Sequence, residues 1–317
     1  MRARTRTKWA VAIVLGVGVG FLFTAPVAGQ VPPPESTTVT SDGRTLAITS
    51  AGRQGAEGAF GNEAAPPPPA PPPTETIGPL GLASAESILG PDNRSKVSDT
   101  TNKPARMVVL ITLSGNQWCS GFLIATNTVV TSGHCVYNRS TRRFYDAAAM
   151  RVYPGYDSTR ATPAPYGVCG ARLLVTTNAF ISAGSDEYDY GALKLTCAVG
   201  QTTGWFGWWY QTAGLNGTQS RNHGYAGDRP LAQWRTTDQI RVSEARRLYY
   251  ANDTYGGTSG SPIFTKRGSS ASQCTGWCVM AVHGYGIYGT VYPNNSLNHG
   301  VRVTKEVSDA FFAWRAL

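Results

Sequence analysis

Three short motifs hold the residue types that could do chemistry in this 317-residue chain. His134 stands in a Thr-Ser-Gly-His-Cys run that directly follows a β-rich stretch. Asp189 heads the alternating run 190–195, and Ser259 lies in the glycine-rich turn 256–262. A histidine, an acid and a serine in this chain order match one of the known orders of a catalytic triad.

Acyl transfer is the reaction that needs these residue types. A serine hydroxyl is a weak nucleophile, so it needs a nearby base, and imidazole titrates in the useful range. A carboxylate holds that imidazole in one tautomer and stabilises its charged form. We therefore predict Ser259 as nucleophile, His134 as base and Asp189 as its partner. Backbone N–H groups must stabilise the oxyanion, and glycine lets the chain bring two together, so we predict Gly257 and Ser259 as the donors.

Other residues compete for the same roles. The rivals are Asp186, Glu187, His223, His299 and Ser261. Neither rival histidine stands beside a cysteine, and we expect both on the surface or in loops. Ser261 lies beyond the glycine turn and directly precedes a proline, so Ser259 is the preferred nucleophile.

Composition and charge exclude several classes of protein. Charged residues make up only 15% of the chain, which argues against a long helical or coiled-coil protein. With 41% hydrophobic residues the chain can form a core. The formal net charge is +9, yet no run of Lys or Arg exceeds two residues, so we expect no nucleic-acid partner. A basic surface favours acidic polypeptides.

The chain divides into three segments. Residues 1–29 have the basic, apolar, small-residue order of a signal peptide, so we expect secretion and no membrane attachment after cleavage; an uncleaved anchor is the alternative. Residues 30–86 are Pro-rich and predict an extended spacer that does not fold back, either a permanent linker or a pro-segment removed on maturation. Residues 87–317 are the globular part.

All six cysteines lie in that globular part. An even number in an exported chain indicates disulfides, with fifteen possible pairings. There is no Cys-x-x-Cys pair and the chain has only four histidines, so we expect no metal site. We expect sequential pairing, which gives Cys119–Cys135, Cys169–Cys197 and Cys274–Cys278.

The periodicity after residue 100 is mostly that of strands. The predicted strands are 107–113, 121–125, 128–132, 172–176, 190–195, 279–282 and 301–303. At the end of the chain, Thr304 can cap a helix whose apolar residues recur at helical spacing. The pattern predicts an all-β domain closed by one C-terminal helix.

Residues 87–317 resemble a chymotrypsin-fold serine protease and, within that fold, the bacterial glutamyl endopeptidase branch. The likeness rests on 131–136, 188–195, 253–262, the Val-His-Gly run at 282–284 and the run 87–94. It favours Asp189 over its acidic neighbours because of the spacing to Ala-Leu-Lys-Leu. It implies two packed six-stranded antiparallel barrels, about 100–198 and 199–303, a helix at about 304–316, and a triad between the barrels. It also implies polypeptide substrates, and we expect no cofactor and a monomer.

The resemblance leaves the substrate preference open between two classes. Asp253 stands six residues before Ser259, where trypsin-like pockets hold the Asp that selects Arg or Lys. Thr254 and His283 match the glutamate-binding positions of the glutamyl branch. We expect cleavage after Glu, then Asp, and a mature start between Glu86 and Ser87. Trypsin-like specificity and an inactive, protease-like binding module are the alternatives.

The residue before the nucleophile departs from the ordinary trypsin-like pattern. In those enzymes it is an Asp that pairs with the new N-terminal amine, and here it is Thr258. That ion pair cannot form, so we expect the usual zymogen switch to be absent.

Overall fold

The computed structural model describes residues 37–49, 55–58, 76–81 and 87–317. The predicted signal peptide and the longest proline run of the Pro-rich segment lie outside the described residues. Within those four ranges, none of the helices combines the length and the apolar character needed to span a bilayer.

Short strands dominate the described chain. The strands are β1 (Thr37–Thr40), β2 (Thr45–Ala47), β3 (Gly55–Ala56), β4 (Ser95–Lys96), β5 (Val108–Leu113), β6 (Asn116–Ala125), β7 (Thr128–Thr131), β8 (Tyr137–Asn138), β9 (Arg143–Phe144), β10 (Met150–Pro154), β11 (Cys169–Thr177), β12 (Gly191–Leu195), β13 (Gly207–Trp209), β14 (Gln219–Gly224), β15 (Trp234–Ser243), β16 (Arg247–Tyr250), β17 (Pro262–Arg267), β18 (Gly276–Tyr285) and β19 (Asn298–Arg302). The helices are α1 (Gly133–Val136), α2 (Asn178–Ala183), α3 (Gly200–Thr203) and α4 (Lys305–Ala316).

Six antiparallel strands form the first barrel. They pair in the order β10-β5-β6-β7-β12-β11, and β10 closes the barrel on β11. Alternate residues point inward, so Val109, Ile111, Leu123 and Leu193 are fully buried in one cluster. This alternation is the reason that the apolar runs of the sequence predicted strands here.

Six further antiparallel strands form a second barrel. Its strands pair in the order β17-β14-β15-β16-β19-β18, and β17 closes on β18. The short strand β13 adds to β18 in parallel, and β4 adds to β15. The prediction of an all-β protein with two six-stranded antiparallel barrels is confirmed.

The C-terminal helix α4 is also confirmed. Thr304 caps it, because its hydroxyl accepts the Val307 N–H at 3.4 Å. Phe311 and Trp314 are fully buried, and the Trp208 ring meets Phe311 edge to face with centroids 5.4 Å apart. The helix therefore packs its apolar stripe on the barrels.

All three disulfides follow the sequential pairing that we expected from the sequence. They join Cys119 to Cys135, Cys169 to Cys197, and Cys274 to Cys278. The first ties β6 to the helix that holds His134.

The Pro-rich segment differs from its prediction as an extended spacer. Strands β1 and β2 form a hairpin, and β1 pairs with β11 at Val175–Thr177 in antiparallel register. Two features explain it: 37–40 is rich in β-branched residues, and Gly43, with φ +86°, permits the tight turn. β3 likewise pairs with β13. The described parts of this segment therefore add strands to the protease domain.

Candidate active site

His134 and Asp189 meet at the end of the first barrel. β7 ends at Thr131, and the short helix α1 then presents His134; Asp189 lies just before β12, the neighbour of β7. His134 Nδ1 lies 2.6 Å from Asp189 Oδ2, and the backbone N–H of His134 donates to Asp189 Oδ1 at 2.7 Å. Asp189 is fully buried, whereas the His134 side chain is 20% exposed. The carboxylate is thus fixed by two bonds to one residue, and the imidazole reaches the surface.

The turn that holds Ser259 is fixed to the first barrel by Ser120. The Ser120 hydroxyl donates to Gly257 O at 2.8 Å, and the Ser120 N–H donates to Ser259 O at 2.9 Å. The same hydroxyl accepts the Tyr225 N–H at 2.8 Å. Ser120 is fully buried, so these bonds are made without competition from water. A residue of the first barrel therefore sets the backbone of the turn.

Sequence reasoning missed Ser120. Its signal was a serine directly after Cys119, within a strand whose other buried residues are mainly apolar. A buried hydroxyl in such a strand needs a partner, and here the partner is the catalytic turn.

Close approach brings the turn against the segment that leads to His134. A Cβ on Gly260, which has φ +85°, would lie 2.0 Å from Thr131 Oγ1 and 2.8 Å from Ser132 N. Only glycine fits this position. Ser259 O also lies 3.9 Å from Cys135 Sγ. The structure thus brings the three predicted triad residues to the junction of the two barrels.

The rival residues have other surroundings. The Ser261 hydroxyl accepts Asn222 Nδ2 at 2.6 Å and is fully buried. His223 Nδ1 lies 3.0 Å from Gln233 Oε1, and burial lowers the pKa of His223 to about 4. The side chain of Ser261 is therefore hydrogen-bonded within the second barrel. The imidazole of His223 is neutral at pH 7 and only weakly basic.

The expectation that the rival histidines lie on the surface or in loops is wrong. His223 belongs to β14 and is 7% exposed, and His299 belongs to β19 and is fully buried. His299 Nε2 lies 3.6 Å from Asp186 Oδ2, and burial lowers the pKa of His299. The sequence test used only the neighbouring cysteine, whereas strand register decides burial.

Tyr285 extends an aromatic group from His299 to the triad. Its ring stacks on His299 with centroids 5.5 Å apart and lies 5.7 Å from the His134 ring. Burial, and after it the charge of Asp189, raises the pKa of Tyr285 far above its usual range. Its phenol therefore stays protonated beside the buried carboxylate.

The predicted pocket residues lie on the second barrel. His283 is fully buried on β18, and its carbonyl accepts both the Ser132 hydroxyl and the Gly260 N–H at 2.8 Å. Its Nδ1 lies 2.7 Å from the Tyr250 hydroxyl. Thr254 is also fully buried, and its Oγ1 has no hydrogen-bond partner among the described residues. A buried hydroxyl without a partner is a donor available to a ligand.

The Asp253 carboxylate is bonded to the segment 87–93. Its Oδ1 accepts the Leu89 N–H at 2.7 Å, and its Oδ2 accepts the Asn93 N–H at 2.8 Å. The side chain is almost fully buried, at 2% exposure. Both carboxylate oxygens are thus engaged by the segment 87–93.

Ser87 is held by residues of the second barrel and its loops. Its carbonyl accepts Asn298 Nδ2 at 2.7 Å and the Thr254 N–H at 3.2 Å. Its hydroxyl accepts the Ile287 N–H at 3.1 Å. Glu86 lies outside the described residues. The predicted first residue of the mature chain is therefore anchored by three separate loops and strands.

One group of side chains could be mistaken for a metal centre. Among the described residues, Cys119, His134 and Cys135 place potential ligand atoms within 4.8 Å of one another. The two cysteines form a disulfide, so neither offers the thiolate that a metal would need. The donor set does not suit a metal ion.

Comparison with known proteins supplies independent findings. The family described as lysyl endopeptidase, C-terminal domain, matches residues 90–279. A glutamyl endopeptidase of Bacillus licheniformis is 41% identical over 234 residues, which are 73% of this chain and 70% of that protein. A Bacillus subtilis protein named extracellular metalloprotease is 33% identical over 237 residues, 72% of this chain and 69% of that protein.

Solved structures agree with the observed fold. A Glu endopeptidase in complex with MPD matches with a TM-score of 0.62 and 28% identity, over 73% of this chain and all of that chain. The protease Anisep from Arthrobacter nicotinovorans matches with a TM-score of 0.53 and 20% identity, over 71% of this chain and all of that chain. At that identity the second match shows the fold alone.

Proposed function

This chain belongs to the family of lysyl and glutamyl endopeptidases, serine endopeptidases of the chymotrypsin fold, and from that premise we propose that it cleaves polypeptides after glutamate, and more slowly after aspartate. The proposal covers the residues that do the chemistry, those that select the substrate, and the form in which the enzyme is secreted.

The catalytic roles follow from the dyad and the turn. Asp189 Oδ2 accepts Nδ1–H of His134, which leaves Nε2 as the basic nitrogen. That nitrogen takes the proton of Ser259 as its oxygen attacks the peptide carbonyl, and the Gly257 and Ser259 N–H groups stabilise the oxyanion. His134 then gives the proton to the leaving amine, and water hydrolyses the acyl-enzyme by the reverse sequence.

The observation that supports glutamate specificity is the contrast between Asp253 and Thr254. Both oxygens of Asp253 accept N–H groups of the segment 87–93, and the side chain is 2% exposed, so this carboxylate already serves to hold that segment. Thr254 keeps a buried hydroxyl without a partner among the described residues. A bound carboxylate needs donors or positive charge to replace its lost hydration. Thr254 and His283 supply them.

We assign the second donor to His283 Nε2. The Tyr250 hydroxyl engages Nδ1 on the other side of the ring and fixes the orientation of the imidazole. In this orientation Nε2 can donate a hydrogen bond to the carboxylate of the substrate. Glutamate reaches this group further into the pocket than aspartate, which accounts for the expected order of the two.

Four peptides that differ only in the residue before a chromogenic leaving group test this proposal: Glu, Asp, Lys and Phe. We expect kcat/KM for Glu to exceed that for Phe by about 10²-fold, the effect of a buried charge-assisted pair. Fast release from the Lys peptide and none from the Glu peptide would assign the enzyme to lysyl specificity, the specificity for which the matching family is named.

We also propose that the enzyme is secreted and matures by cleavage between Glu86 and Ser87. The threefold anchoring of Ser87 supports this boundary, as does the extracellular name of one relative. A glutamate-specific enzyme could process itself there. N-terminal sequencing of active protein from the culture medium should give Ser-Ile-Leu-Gly, and a start near Gln30 would contradict removal of the Pro-rich segment.

A further inference from the structure

Part of the Pro-rich segment adds a strand to the first barrel beside the active site. β7 pairs with β6 only from Phe122 onward, so the preceding residues of β6 have an open edge on that side. The segment 77–81 fills it: the Gln117 N–H donates to Gly78 O at 3.1 Å, and the Gly81 N–H donates to Gln117 O at 2.8 Å. Gly78 bridges Asn116 in parallel orientation. This is strand addition to an unpaired edge.

The next bond along the same edge belongs to the nucleophile's turn. Beyond Gln117 and the intervening Trp118 and Cys119, the Ser120 N–H donates to Ser259 O at 2.9 Å. Segment 77–81 and the catalytic turn are therefore consecutive occupants of one strand edge.

Leu80 covers the glycine turn itself. A Cβ on Gly227 would lie 2.6 Å from Leu80 Cδ2, and a Cβ on Gly257 would lie 3.2 Å from Leu80 Cδ1. The Gly227 N–H donates to Gly256 O at 2.8 Å, which holds these glycines together. The leucine thus packs on the backbone of a residue to which we assign an oxyanion donor.

Segment 77–81 lies on the side of the Ser259 turn where the leaving group of the substrate would bind. The turn of Ser259 is bonded to His283, through the Gly260 N–H, and to Ser120, whose N–H donates to Ser259 O. The proposed function assigns the glutamate side chain of the substrate to His283. On that premise the residues after the scissile bond approach Ser120, which shares its strand edge with segment 77–81.

We propose that segment 77–81 is an intramolecular inhibitor that occupies the leaving-group side of the active site until the chain is cleaved before Ser87. The inference rests on the proposed function. Two further contacts tether the inhibitor: the hairpin β1–β2 pairs with β11, and the Glu57 carboxylate accepts the Thr275 N–H at 2.9 Å. Tethering raises the local concentration of the inhibitor, so a few backbone bonds and one leucine suffice.

The experiment uses the full chain with Glu86→Gln, which blocks cleavage after that residue, and compares it with the processed parent. Two substrates share one glutamyl acyl part; one ends in a small p-nitroanilide, and the other continues for several residues. For each chain we take the ratio of kcat/KM for the long substrate to kcat/KM for the short substrate. We expect this ratio to be at least tenfold lower in the uncut chain than in the processed chain. Leu80→Lys should restore most of that ratio, and Leu80→Ala part of it.

The exposed Thr45 offers a charge-matched control, since Thr45→Lys adds the same side chain on β2, away from the active site, and should leave the ratio unchanged. The inference would be overturned if kcat/KM fell equally for both substrates in the uncut chain and Leu80→Lys did not restore it. The low activity of the uncut chain would then originate in the substrate pocket. A processed parent that hydrolyses neither substrate is a failure of the proposed function, and the inference falls with its premise.

Discussion

The two halves of the active site are held in place by different kinds of contact. The catalytic half combines a histidine–aspartate pair next to the neighbouring strands β7 and β12 with a serine turn that Ser120 fixes from the first barrel. The pocket half depends on a distant segment: Asp253 and Thr254 are both bonded to residues 87–93, more than 150 positions earlier in the chain.

This difference separates chemistry from selectivity. Each proposed catalytic residue stands in a short motif of its own, so the reaction type can be predicted from the sequence. In the proposed function, selectivity depends on the role of Asp253, and its bonds to the Leu89 and Asn93 N–H groups could not be predicted from the sequence. Changes in the catalytic half should therefore abolish all cleavage, whereas changes in the pocket half should act on one class of substrate.

The catalytic half should give the largest effects. Ser259→Ala removes the nucleophile and should lower kcat by about 10⁶-fold, and His134→Ala should match it. Asp189→Asn keeps the shape but favours the wrong tautomer of His134, so we expect a loss of about 10⁴-fold. Hydrolysis of the Glu and Phe peptides measures these losses, which should be equal for both. Casein cleavage by the Ser259→Ala protein at the parent rate would show that the nucleophile is another residue.

The sequence predicted the catalytic half and the apolar strands for a physical reason. β5, β7 and β12 are buried along nearly their whole length, so they are visible in the sequence as short, mainly apolar or β-branched runs. β15 was not predicted, because its fully buried residues are only Thr236 and Ile240 and its outward face is polar and charged. In the Pro-rich segment, the β-branched run 37–40 and Gly43 are local signals of a hairpin, but no local pattern shows which strands this segment joins, since β6, β11 and β13 lie far along the chain.

The pocket half should respond selectively to His283→Ala. This change removes the proposed donor to the substrate carboxylate, so kcat/KM for the Glu peptide should fall by about 10²-fold. The Phe peptide should lose less than about threefold, because it makes no such bond. Tyr250→Phe, which removes only the hydroxyl that orients the ring, is the matched control and should show an intermediate loss for Glu. Equal losses for Glu and Phe would mean that His283 supports the fold and not the specificity.

A smaller effect should follow from Asp253→Asn. The amide has the size of the carboxylate but lacks its negative charge. Its hydrogen bonds with the Leu89 and Asn93 N–H groups are therefore weaker, and the segment 87–93 is held less firmly. We expect cleavage after Glu to fall about tenfold and cleavage after Lys or Arg to remain negligible. The trypsin-like alternative makes the opposite prediction, in which cleavage after Arg is the main activity and this substitution abolishes it. Peptides ending in Glu, Lys and Arg separate the two.

The smallest effect on catalysis should come from a buried ion outside both halves. Lys194 is 1% exposed on β12, and its ammonium donates to Thr128 Oγ1 at 2.7 Å and to the α4 carbonyls of Trp314 and Arg315 at 3.1 and 3.2 Å. Lys194→Met leaves those carbonyls without this donor, so we expect a loss of about 1–3 kcal/mol in the free energy of unfolding and unchanged kcat/KM. An equal loss of activity would mean that the first barrel transmits the position of α4 to the triad.

The pH dependence of that stability difference gives a second check. Burial lowers the pKa of Lys194 to about 8, against an ordinary value of 10.5. Between these values the unfolded chain binds more protons than the folded chain, so the unfolding free energy rises with pH across this window. The Met variant lacks this term. The parent's advantage in denaturant unfolding should therefore grow from pH 7.5 to pH 9.5, while the ratio of Glu to Phe cleavage stays equal in the two proteins. An advantage that shrinks over this range would show that the folded chain holds the ammonium more tightly than water does, and that this buried ion stabilises the barrel through its charge.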